Sequence, residues 1–110
     1  MRLLSPCAAF ALLLALAPVS LAAAPAPPPE RQAWLLRLLR QDCGSCHGLT
    51  LRGGLGPSLL PERLAGRDPA ELARIILDGI PGTPMPPWRF EIAPEEARWL
   101  AERLVEGRDR

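Results

Sequence analysis

Three stretches of this chain place their apolar residues at helical spacing. From Glu30 to about Gln41, Trp34, Leu35, Leu38 and Leu39 recur along one face, with Arg31, Arg37 and Arg40 elsewhere, which predicts an amphipathic helix. A second helix opens at Asp68-Pro69-Ala70-Glu71: Asp68 caps, Pro69 takes the first helical position and Glu71 completes a capping-box pattern. Leu72, Ile75 and Ile76 are its expected buried face, and Gly79 ends it. The third follows Pro94, with Glu95 and Glu96 at its positive end, Ala97, Trp99, Leu100, Leu104 and Val105 as its apolar side, and Gly107 as its stop. Residues 48–66, rich in Gly, Pro and Leu, read as loop with one helical turn around Pro61 to Leu64. Five Pro and Gly residues between Ile80 and Arg89 forbid a regular element there. No alternating strand pattern occurs, so the expected class is all-α, three to four helices joined by long loops.

The start of the chain is apolar without period. Arg2, then an apolar run too short to span a membrane, then small residues around Ala22 form the three parts of a secretory signal. The expected organisation is a signal at 1–22 cleaved after Ala22, a Pro/Ala-rich tether at 23–29 and one domain at 30–110. The expected location is the periplasm, with no stable membrane anchor; an uncleaved anchor is the competing reading. Cys7 precedes almost all the apolar residues of the signal, which excludes a lipoprotein reading.

That division simplifies the chemistry. The 110-residue chain carries three cysteines, and only Cys43 and Cys46 lie beyond the signal. They are too close in sequence to staple a long loop, and a domain this small is marginal without a staple or a cofactor. Net charge is +1 for the whole chain and near zero without Arg2, and every basic residue is Arg. No basic patch suited to phosphate backbones appears, so nucleic acid is excluded as a partner.

Cys43-Gly44-Ser45-Cys46-His47 is a C-x-x-C-H run, the signature of covalent attachment of one haem c. Two thiols three apart suit addition to the two haem vinyl groups, and the adjacent histidine is placed to bind iron. A thioredoxin-like pair would need a βαβ setting, and here a helix precedes the motif. A zinc site would need more ligands than the chain beyond the signal supplies. His47 is the single histidine, so ligation by two histidines of one chain is impossible. Met85, the one methionine besides Met1, lies between prolines in Pro84-Met85-Pro86-Pro87 and is the candidate second axial ligand. Two filled axial positions favour an electron carrier over an enzyme. Trp88, Arg52 and Arg89 carry donors suited to haem propionates, although core packing (Trp88) or plain solvation (the arginines) accounts for them equally.

These residues resemble class I monohaem cytochromes c. The resemblance spans the first helix, Cys43 to His47, the Gly56-Pro57 loop, Met85 and a last helix carrying Trp99. It implies that the first and last helices cross, and that Pro57 offers its carbonyl to the ring nitrogen of His47 not bound to iron. The wording of Cys46 to Pro57 and of Pro81 to Trp88 is similar to the small cytochromes encoded with the dihaem nitrite reductase of denitrifying bacteria. That likeness implies redox protein partners and electron donation to nitrite reductase, or an accessory part in maturing its d-type haem.

Overall fold

The structure, a computed structural model, describes Pro18 and residues 25–108; of the expected signal, all but Pro18 lies outside the described residues. Among the described residues every regular element is helical. In chain order they are α1 (Pro29–Leu38), a π-helical turn (Leu39–Cys43), α2 (Gly44–His47), α3 (Pro61–Leu64), α4 (Pro69–Asp78) and α5 (Pro94–Glu106).

The first helix departs from its sequence reading at both ends. It begins at Pro29, and the end of the expected tether is already part of the fold. Pro27 is buried, and its carbonyl accepts a hydrogen bond from Gln32 Nε2 at 2.8 Å. At the other end the backbone does not stop before the cysteines. It widens by one residue, with Gly44 N–H reaching the Leu39 carbonyl, and stays helical through His47. π turns of this kind occur mostly as single insertions at functional sites, where they re-aim the residues that follow.

The core is one cluster to which every long helix contributes: Leu35, Leu38 and Leu39 from the first rod, Ala73 and Leu77 from α4, and Ala97, Trp99, Leu100, Ala101 and Leu104 from α5. The most extensive helix pairing is α4 against α5, and α3 also packs on α5. In α4 the deepest residues are Ala73 and Leu77, four apart, while Leu72, Ile75 and Ile76 are only half-buried. The deepest face is thus rotated from the expected one, toward Ala73 and Leu77.

Capping also differs in detail. Asp68 Oδ1 accepts from Ala70 N–H at 2.9 Å, but Glu71 is drawn away from the cap by Arg67, 3.1 Å distant. At α5, Glu96 Oε2 reaches back to Ala93 N–H at 3.2 Å. This is half of a capping box, since Ala93 has no side-chain oxygen.

Arg31 joins the two ends of the domain. Its guanidinium makes a bidentate pair with Glu96, both hydrogen bonds 2.8 Å, donates to the Glu91 carbonyl at 2.8 Å and stacks 4.0 Å over Trp34. A fork-shaped donor suits a carboxylate in this manner. Arg31 is raised above its ordinary value and Glu96 lowered below its own, in each case chiefly through their shared hydrogen bonds.

Candidate haem site

The C-terminus of α2 leaves carbonyls without helical partners. The following loop turns back to supply them. Gly56 N–H donates to the Cys46 carbonyl at 2.8 Å and Gly53 N–H to the His47 carbonyl at 2.7 Å. Ser58 then fastens the far side: its hydroxyl lies 3.2 Å from the Leu51 carbonyl and 3.2 Å from Leu60 N–H, donating to the first and accepting from the second.

This fold-back brings Pro57 to the histidine. His47 Nδ1 stands 2.7 Å from the Pro57 carbonyl oxygen. A carbonyl can only accept, so Nδ1 carries the proton and, in the neutral ring, Nε2 holds the lone pair. The ring is also wedged from the side. A Cβ on Gly56 would sit 2.8 Å from both Nδ1 and Cε1 of His47, so only glycine lets the backbone pass this close. The sequence marks the place with its Gly-Pro pair, although nothing in it states the contact.

Cys43 and Cys46 are both free thiols, half-buried, one turn apart across α2. Burial, with a smaller contribution from neighbouring Asp42, pushes the Cys43 thiol up to about 11. Nucleophilic redox cysteines are held low instead. The thiol-oxidoreductase alternative therefore finds no support at Cys43, and no cluster of three or more His, Cys, Asp or Glu suited to a metal ion occurs among the described residues.

Met85 lies apart from this rod, half-buried on the loop after α4. That loop returns to α4 through Trp88 N–H to the Ile76 carbonyl at 3.0 Å and Arg89 N–H to the Leu77 carbonyl at 3.2 Å. Of the three residues with donors suited to propionates, Arg89 is engaged by Asp78. Trp88 is partly buried against the core. Arg52 lines a cleft of about 330 Å³ with Arg40, Arg103 and several leucines, to which none of Cys43, Cys46, His47, Pro57 or Met85 contributes. Arg31 and Glu96, which tie the ends together, escaped the sequence reading, because an arginine on a helix face carries no mark of its partner.

Known proteins decide the family. Residues 33–102 match the family described as cytochrome C oxidase, cbb3-type, subunit III. Cytochrome c55X of Paracoccus denitrificans is 50% identical over 98 residues, 89% of this chain and 94% of that protein. Cytochrome c55X of Pseudomonas aeruginosa is 54% identical over 81 residues, 74% of this chain and 68% of its own length. The chain belongs to the cytochrome c55X family. The fold agrees: a solved structure of the c-type cytochrome NirC superposes with a TM-score of 0.74 at 53% identity, over 76% of this chain and 98% of that one. The class I c-type cytochrome architecture implied by the resemblance is thereby shown, and with it haem c as the cofactor of the family. A more distant likeness, TM-score 0.57 and 39% identity, joins 63% of this chain to 15% of the dihydro-heme d1 dehydrogenase NirN.

Proposed function

We propose that this chain is a periplasmic monohaem electron carrier that donates electrons to the dihaem nitrite reductase of denitrification. The observation that carries the site is the hydrogen bond from His47 Nδ1–H to Pro57, which leaves the Nε2 lone pair for iron beside two free thiols. The donor set fits haem c: two thiols for the vinyl groups, one imidazole in a fixed tautomer and one thioether on a separate loop. Exposed apolar side chains support the same reading. Leu55 next to the His47 wedge is 89% exposed and Ile80 at the start of the Met85 loop 44%, apolar surface of the kind a porphyrin buries.

When bound, haem c supplies a reversible one-electron iron couple. The protein's own part is to hold that couple at a chosen potential. Cys43 and Cys46 would tether the group, and His47 and Met85 would hold its iron. Pro57 fixes the imidazole ring and strengthens its donation, while the thioether of Met85 raises the potential relative to a second imidazole. With His47 and Met85 both holding the iron, small oxidants would be kept off it, which suits electron transfer rather than catalysis. Export is consistent with the N-terminal signal pattern and with the absence, among the described residues, of any helix long and apolar enough to cross a membrane. Partner contact is then expected to be transient and small in area.

A second reading has an observation of its own. A related segment occurs within the dihydro-heme d1 dehydrogenase of Pseudomonas aeruginosa, 35% identical over 82 residues and covered over 17% of that protein. A domain of this type thus sits in a protein named for haem d1 chemistry, which favours an accessory part in maturing the reductase's d-type haem. The two readings separate in one strain and one assay. Donation predicts that the reduced, purified protein passes electrons to nitrite reductase. Maturation predicts that deleting the gene leaves the reductase without its d-type haem. For the site itself, the loaded protein should show a haem-sized mass addition on Cys43 and Cys46, and a weak red-end band in the oxidised absorption spectrum. Met85→Ala should abolish that band; a band that survives would remove Met85 as ligand.

A further inference from the structure

We propose that Gly79 and Thr83 are positioning residues which hold Met85 at the iron, so that widening their contacts opens the sixth coordination position. This rests on Met85 being the ligand, as proposed above.

Residues 79–89 form a strap that leaves α4 and folds back along its last turn. Carbonyls that the helix end would leave unpaired are used by the strap: Gly79 N–H donates to Ile75 at 2.9 Å, Trp88 to Ile76 and Arg89 to Leu77. Asp78 and Arg89 pair at its closure. Within the strap both backbone polar groups of Met85 are engaged. Its carbonyl accepts from Ile80 N–H at 3.2 Å, and its N–H donates to Thr83 Oγ1 at 3.3 Å. The Thr83 hydroxyl in turn donates to the Ile80 carbonyl at 2.7 Å. One hydroxyl thus bridges the two sides of the turn.

Gly79 is where the strap crosses itself. A Cβ there would lie 2.6 Å from the Met85 carbonyl oxygen and 2.8 Å from Pro86 C and Pro87 N. These are backbone atoms of the ligand residue and its successors, stiffened by two prolines, so relief requires moving Met85 itself. Gly79 also has φ +66°, a conformation that favours glycine. Gly82, three residues on, supplies an internal comparison. It too has a positive φ, +77°, but a Cβ there meets nothing within 4 Å. Alanine at either position brings backbone strain. Only at Gly79 does it press on Met85.

The test uses the haem-loaded, purified protein and imidazole as a competing iron ligand. Apparent affinity for imidazole scales with the fraction of molecules whose sixth position is open, so Gly79→Ala is expected to raise it about tenfold and to weaken the red-end band. Thr83→Val, which removes both hydroxyl contacts with little change of volume, is expected to raise it about threefold by the same relation. Gly82→Ala should keep the band and stay within about twofold of the parent. Should Gly79→Ala not load or fold, Thr83→Val carries the test. Parent-like imidazole affinity in both Gly79→Ala and Thr83→Val would overturn the proposal, and so would Gly82→Ala matching Gly79→Ala. A red-end band unchanged in Met85→Ala removes the ligand assignment and the proposal together. Loss of the band in Met85→Ala with parent-like Gly79→Ala and Thr83→Val removes only the positioning role.

Discussion

The loop after His47, residues 48–57, folds back onto the helix it has just left, whereas the strap around Met85 leans on α4, an element of its own outside the cysteine rod. On the first side, histidine, cysteines and the fixing carbonyl belong to one continuous length of chain, and the ring is bonded to Pro57 at 2.7 Å and wedged by Gly56. On the second, the methionine's backbone is held in a strap closed chiefly by backbone hydrogen bonds, with one hydroxyl and a half-exposed ion pair added. The difference teaches where rigidity is placed. His47 is locked by its side chain, while Met85 is held by the shape of its loop. Besides the shared core, Arg31 ties the first helix to Glu96 of α5 and to the Glu91 carbonyl just beyond the Met85 strap.

The largest effect is expected on the His47 side. Gly56→Val forces branched carbon into the imidazole and should lower stability by about 3 kcal/mol, read by denaturant unfolding of the loaded protein. A change below about 0.5 kcal/mol, the range of an ordinary surface substitution, would mean that the wedge is slack.

The link should respond next, and its response depends on pH. Glu96→Gln keeps the shape but loses the carboxylate, and should cost about 1 kcal/mol near neutral pH. Because Arg31 holds the Glu96 carboxyl below its ordinary range, the folded state binds that proton less readily than the unfolded chain. The stabilisation is therefore complete above the ordinary carboxylate range and is lost as pH falls through and below it, with Arg31 charged throughout. Parent and variant stability curves should converge in acid. Curves that stay parallel down to the lowest pH would assign the loss to something other than this charge.

The smallest effect belongs to the strap. Asp78→Asn removes an ion pair whose partners are both nearly half exposed, and should change stability by only a few tenths of a kcal/mol, less in high salt. A loss above about 1 kcal/mol would show the strap to be closed by side chains after all, and the contrast between the two loops would narrow.

Much of the fold was legible because helices announce themselves through period and punctuation. Asp68-Pro69, Pro94 and the closing glycines Gly79 and Gly107 mark real helix ends. Depth of burial was less legible. Leu72, Ile75 and Ile76 are as apolar as their neighbours, yet Ala73 and Leu77 are the residues that go deep, and composition alone cannot rank them. The π turn left no trace, since Leu39 to Cys43 would read equally well as ordinary α-helix. Glu71 satisfied a capping pattern and was taken by Arg67, a competition that spacing alone cannot rank. At the site, the cysteine motif and the single histidine stand out by residue type. The close approaches at Gly56 and Gly79 do not, because a glycine's reason lies in the atoms it lets pass.

The Arg31–Glu96 pair joins residues 65 apart in sequence, from the beginning of the domain to its last helix. A chain emerging from its N-terminus presents Cys43 and Cys46 well before Glu96 exists. Loop closure over such a distance comes late. One arginine thus clasps the start of the folded region to its last helix, a long-range fastening rather than a local turn.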